Sequence, residues 1–264
     1  METFSMFLDS TSLVVVFIPL LVICVSLWFS CKAKWNVLFR DLGVPLGLFW
    51  SVVGATGMAV NMTDVKIYGP ATAIMLLTLT YGGLISALGY FSTFRRSSPE
   101  SDNNKKTADW KVIIFILVTF LGLTWWGMNN AAGLAVFINP VALSVFGTTI
   151  IVSILLSDSD HRVEVLCQAS LLSAMLSLVL GLIVLYRSFS GDGINEGMYD
   201  GLKIAMNGLS YGLLSYISIY VVSYKFGTTE KIDAPLMNWH WMEVTGFLIF
   251  MFFAPETLRE SLLH

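Results

Sequence analysis

Long stretches of this chain contain no charged residue. Ser10 to Cys31 is one, bounded by Asp9 and Lys32. Leu42 to Thr63, Ile67 to Phe94, Val112 to Ser157, Val165 to Tyr186 and Ile204 to Tyr224 are the others. A bilayer core takes about 20 apolar residues of helix, so five of these runs fit one spanning helix each. Val112 to Ser157 is too long for one helix. It carries Asn129-Asn130 and Asn139-Pro140, residues that favour turns. It is read as two helices joined near residues 129–140. Seven spans result. Trp241 to Ala254, shorter and carrying Glu243, is an eighth span or an interfacial helix.

Composition excludes most other classes. Only 12% of the 264 residues are charged and 56% are hydrophobic. A soluble domain is about a quarter charged. A soluble shell built from half that amount exposes large apolar patches. A cytosolic enzyme and a disordered tail are therefore excluded. The net charge of -3 supplies no basic patch for nucleic acid. The fold expected is an all-α polytopic transmembrane helix bundle of seven or eight spans. It is expected to be non-enzymatic, with no cofactor and no metal.

The remaining charges set orientation. Met1-Glu2 starts no signal-type basic region. Lys32, Lys34 and Arg40 follow the first span; Arg95, Arg96, Lys105, Lys106 and Lys111 follow the third. The positive-inside rule then puts residues 1–9 outside and 225–240 in the cytoplasm. Trp28, Trp35, Trp110, Trp239 and Trp241 fall near the inner interface, and Trp125 and Trp126 near the outer one, as an aromatic belt. Cys24, Cys31 and Cys167 match no zinc spacing, and the three histidines lie far apart.

A weak internal repeat runs through the chain. Phe7-Leu8-Asp9-Ser10-Thr11-Ser12-Leu13 matches Phe137-Ile138-Asn139-Pro140-Val141-Ala142-Leu143. Val52-Val53-Gly54 matches Val179-Leu180-Gly181, and Thr80-Tyr81-Gly82-Gly83-Leu84 matches Ser210-Tyr211-Gly212-Leu213-Leu214. Spans one to three then correspond to spans five to seven, with an added fourth span restoring orientation. The repeats are parallel, unlike the inverted repeats of many transporters. The domains expected are a first repeat at 1–94, a linker at 95–111, a second repeat at 112–226 and a C-terminal segment at 227–264.

Several residues form small or polar stripes. Gly47, Ser51, Gly54, Met58 and Asn61 share one face of the second span by helical spacing. Ala71, Met75, Thr78, Gly82 and Ser86 share one face of the third. Ala169, Ser173, Ser177 and Gly181 form a stripe in the second half, as do Gly201, Ala205, Gly208 and Gly212, with Asn207 beside them as a polar contact. Small residues allow close helix approach, and hydroxyls bridge helices. The stripes are read either as packing surfaces or, at Ser51 and Thr78, as the polar lining of an ion path. No Asp, Glu, Lys, Arg or His falls inside the seven charge-free spans, although an ion carrier acting alone needs a titratable group at depth.

Gly47-Leu48, Ser51-Val52-Val53-Gly54, Asn61-Met62-Thr63-Asp64, Gly69-Pro70-Ala71 and Leu76-Leu77-Thr78-Leu79-Thr80-Tyr81-Gly82 carry a resemblance. The stretch Pro45 to Phe91 resembles the third and fourth helices of the MotA/TolQ/ExbB proton-channel family, most nearly its flagellar stator A-subunits. Met6-Phe7-Leu8-Asp9-Ser10-Thr11-Ser12 is similar to the start of that family's second helix. The resemblance implies an A-type subunit of a proton or sodium channel in the cell inner membrane, with Ser51, Thr78 and Thr80 as path-lining hydroxyls. It implies a homo-oligomeric ring around a single-span B-type subunit (of the ExbD/TolR/MotB kind) that carries the ion-binding Asp. A duplicated subunit fits a ring of five only if one copy lines it; otherwise the ring has an even number of positions. The pattern also departs from the family. Trp50 stands at a usual Gly, Leu178 and Gly208 replace the hydroxyls of Ser51 and Thr78 in the second copy, and the links at about 31–42 and 158–167 are too short for the cytoplasmic torque domain that stator A-subunits carry there. The alternatives are a non-conducting structural protein derived from that family and a small-molecule transporter with parallel repeats.

Overall fold

A computed structural model describes residues 10–60, 65–95, 107–158, 161–188 and 196–227. Among them are seven α-helices: α1 (Ser10–Cys31), α2 (Trp35–Val60), α3 (Val65–Arg95), α4 (Trp110–Ala131), α5 (Pro140–Leu156), α6 (Arg162–Arg187) and α7 (Glu196–Phe226). A single 3-10 turn, Leu134–Phe137, joins α4 to α5. The described residues are helical or connecting, with no strand.

Six helices, all but α5, are long and apolar enough to cross a membrane. At 17 residues α5 is shorter, about 25 Å at the α-helical rise. Among the described residues all seven helices read from the sequence are therefore present, six of spanning length and α5 short of it. The eighth segment, 241–254, lies outside the described residues.

The connection is built from its sequence. Gly133 takes a positive φ of 79° that a side chain disfavours. Asn139 caps α5, its side-chain oxygen accepting from the N–H groups of Val141 and Ala142 at 3.0 Å each. Pro140 follows at the first helical turn, where its missing N–H costs nothing.

The bundle is organised around two antiparallel hairpins, α2–α3 and α6–α7, which pack against each other through α2 and α7. These two are the enclosed helices: 78% and 72% of their spanning windows are buried, against 28% for α4. Apolar side chains such as Phe29, Leu88, Val118 and Leu155 point outward, as lipid-facing residues do.

Each hairpin closes on small residues. A Cβ placed on Gly82 would lie 2.5 Å from the Gly43 carbonyl oxygen and 2.7 Å from the Gly47 Cα. A Cβ on Gly212 would lie 2.5 Å from the Ser170 carbonyl oxygen, and one on Gly181 would lie 2.5 Å from the Gly201 carbonyl oxygen. The Ser86 hydroxyl donates to the carbonyl of Arg40 across the first seam. Gly54 is looser, since its Cβ would meet only the Met75 side chain, at 3.8 Å.

Gly82→Ala is expected to force α2 and α3 apart, at the roughly 1–3 kcal/mol typical of overpacking. Gly83, with open space where its Cβ would stand, should accept Ala at no loss. Thermal unfolding of the two variants in one detergent compares them.

Candidate functional site

The α2–α3 seam holds two of the three hydroxyls that the resemblance picks out. On α2, Ser51 lies between Gly47, which backs onto the Thr78 carbonyl, and Gly54, which faces Met75. On α3, Thr78 lies between Met75 and Gly82. The two residues therefore share one level of the seam, each 2% exposed. Thr78 donates its hydroxyl to the Met75 carbonyl at 2.8 Å. Thr80 is not with them. Two residues further along the helix it points outward, donating to the Leu76 carbonyl at 2.7 Å. Its neighbours on that face are the exposed Leu76, Leu84 and Leu88.

In the second hairpin the small and polar residues are packed. Ser173 donates to the Ser170 carbonyl at 2.7 Å. Ser177 stands against Gly208 and is fully buried with its hydroxyl unpaired. Gly212 meets the Ser170 carbonyl and the Ala174 side chain. Asn207 makes its polar contact with the 3-10 turn: its Nδ2 donates to the Val136 carbonyl at 2.9 Å. One turn on, the Tyr211 hydroxyl donates to the Phe137 carbonyl at 2.5 Å and accepts from the Asn139 N–H at 3.0 Å. Asn207 and Tyr211 together tie the connection 134–139 onto α7.

A group that the charge-free runs passed over is Asp41. The second span was expected to start at Leu42, with Arg40 and Asp41 in a loop. Instead α2 starts at Trp35, and Asp41 is inside it at 1% exposure. Arg40 donates to both its oxygens, Nε at 2.6 Å and Nη2 at 3.2 Å. The Tyr220 hydroxyl, from α7, donates to it at 2.6 Å. Tyr216 and Tyr224 flank Tyr220 along α7, their rings 6.1 and 5.9 Å from its own. A buried carboxylate is tolerated when paired and hydrogen-bonded, and this one is saturated from two sides. Its chemistry is that of a clamp between the two hairpins. Among the described residues no cluster of His, Cys, Asp and Glu could hold a metal ion.

One signal for Asp41 was present in the sequence. Leu38 and Leu42 flank it at helical spacing, and both are fully buried, which continues the helix below the first charge. Its partner Tyr220 carried no such signal.

Trp50, at a position where the resemblance expects Gly, is also accommodated. Its ring lies against Gly127 of α4. The bulk that a glycine on α2 would have spared is offset by a glycine on the facing helix.

Tyr220→Phe removes a hydrogen bond to a charged acceptor, worth about 1.5–3 kcal/mol. Unfolding in detergent should show that loss. In an Asp41→Asn background the same change should cost less, because the two act through one contact.

Over 53 residues, 20% of its length, the chain is 40% identical to chemotaxis protein PomA of Vibrio alginolyticus. It spans about a fifth of that relative, 21% of whose length is covered. No family model and no solved structure matches the chain. The chain thus has, among its described residues, six apolar helices long enough to cross a bilayer, as a multi-pass membrane protein does, and it is similar to PomA over one stretch.

Proposed function

We propose that this chain is a non-enzymatic A-type subunit of a MotA/TolQ/ExbB-like ion channel complex. It sits in the inner membrane with its N-terminus outward and scaffolds a single-span partner that carries the ion-binding carboxylate. The observation that carries this reading is the outer face of α3. There Thr80, flanked by Leu76 and Leu84, is an exposed hydroxyl on an apolar face, beside open space at Gly83. Its hydroxyl donates to the Leu76 carbonyl, as in a lipid-facing threonine, and its oxygen keeps accepting capacity that a second helix or an ion path can use. The partial similarity to PomA supports the same reading.

Asp41 leaves the need for a partner in place. The carboxylate is closed by Arg40 and Tyr220, so it is not open to exchange an ion. A carboxylate from another chain still has to supply that step.

The two hairpins support the parallel repeat. The contact of Gly82 with Gly47 recurs as the contact of Gly212 with Ala174, at the positions that the repeat aligns. The short connections bear on the torque domain. Only residues 32–34 separate α1 from α2, which leaves no room for an inserted domain at that link.

A non-conducting structural role has its own supporting observation. Ser51 and Thr78 are closed into the helix seam, where they serve packing. Ion flux into vesicles carrying the chain with a co-expressed single-span partner separates the two readings. Thr80→Leu, at an exposed position, should abolish proton or sodium flux and leave folding intact. Thr78→Val should leave most of the flux. No flux in any version, with no single-span protein co-purifying, establishes the structural role instead.

A further inference from the structure

Three helix ends meet at one corner of the bundle. The Asp109 N–H, just ahead of α4, donates to the Ser30 hydroxyl near the end of α1 at 3.0 Å. The Ala108 N–H donates to the Tyr224 carbonyl near the end of α7 at 3.1 Å. The Trp110 and Phe226 rings meet edge to face, their centroids 6.2 Å apart. Each end carries a lysine within two residues of its contact: Lys32 after α1, Lys111 on α4 and Lys225 on α7. Among the described residues of these three ends the one carboxylate is Asp109. It is engaged as the cap of α4, accepting from the Lys111 N–H at 3.4 Å.

Lys32 stands where a side chain is unfavourable. α1 closes through a bond from the Lys32 N–H to the Trp28 carbonyl at 3.0 Å, with Lys32 itself in the left-handed region at φ 58°. Glycine is the usual residue at such a closure. Lys32 is the one non-glycine residue with positive φ among the described residues. Its ammonium stands 4.6 Å from the centre of the Trp28 ring, whose face attracts a cation. Glycine would close the helix without strain, and what lysine adds is a positive charge at the corner.

Beside the lysines the surface is apolar. Trp28, Trp110 and Phe226 are 40%, 45% and 56% exposed, and Phe29 and Ile114 next to them also point outward. Tryptophans at the end of a span lie at the depth of lipid headgroups. Cations bordering exposed rings suit a ligand with phosphate at one end and hydrocarbon at the other. A soluble anion would leave the rings unused.

We propose that this corner binds an anionic phospholipid, with Lys32, Lys111 and Lys225 on its phosphate and Trp28 and Trp110 against its glycerol and acyl region. Lysines just beyond a span attract anionic lipid, and the N-terminus of α4 adds its positive dipole end at the same corner. The site needs no ion and no partner chain, so it stands or falls apart from the channel reading.

The test is thermal unfolding of the full chain in nanodiscs of phosphatidylcholine, with and without phosphatidylglycerol. Phosphatidylglycerol is expected to raise the Tm of the parent by several degrees. Lys32→Gly should be at least as stable as the parent in phosphatidylcholine, because glycine takes the left-handed position freely, and should lose most of that rise. A variant that keeps its stability and no longer responds to anionic lipid has lost a ligand and not its fold. Lys111→Gln, in ordinary helical backbone, should lose part of the rise. Lys203→Gln, an exposed lysine toward the other end of α7, should keep all of it. No rise in the parent overturns the proposal, and so does a full rise in both K32G and K111Q. A loss in K203Q as large as in K32G overturns it too, as the mark of surface charge in general. An equal rise from inorganic phosphate in phosphatidylcholine alone does the same, since a soluble anion would then suffice.

Discussion

Helices inside a bilayer gain nothing by hiding apolar surface from one another, since lipid is as apolar as leucine. What holds them is close contact and hydrogen bonding, and close contact requires backbones without side chains between them. The rest of this structure depends on that constraint. At Gly43, Gly47 and Gly82 in one hairpin, and at Gly181, Gly201 and Gly212 in the other, the helices approach until no Cβ fits. The large apolar residues are distributed around these seams, packed between α2 and α7 or turned outward toward lipid.

Polar groups follow from the same absence of water. Each needs a partner inside the protein, and most find one within their own helix. Those that reach further mark where the elements are joined. Tyr220 to Asp41 ties the two hairpins near one end of the bundle. Asn207 and Tyr211 hold the 3-10 turn and the start of α5 to α7. The Ser86 hydroxyl crosses the first seam to the Arg40 carbonyl, beside the Arg40–Asp41 pair. Asp41 thereby sits where the first seam and the inter-hairpin contact meet.

Much of the architecture was legible in the sequence. The charge-free runs located every described helix, and Asn139-Pro140 marked the start of α5 correctly. The stripes of Gly and Ser identified the seams, because periodicity and side-chain size are local properties. Less of the candidate site was legible. Spacing placed Thr78 on the face of Gly82, and the structure encloses it there. The likeness that grouped Thr80 with it says nothing of side-chain direction, and two residues of helix turn Thr80 to the opposite side. The start of α2 was misplaced because a charge was taken as the end of a span. A charge ends a span only if it has no partner, and Asp41 has two.

The sequence by itself determined that this chain belongs in a membrane as a bundle of helices. Hydropathy and charge are summed along the chain, and a bilayer responds to that sum segment by segment. Only the tertiary structure decided which polar groups are closed and which are offered outward. Asp41 and Tyr220 are 179 residues apart, and whether a carboxylate is saturated or open depends on that contact. Enclosure arises between distant segments, so no local pattern around either residue could have stated it.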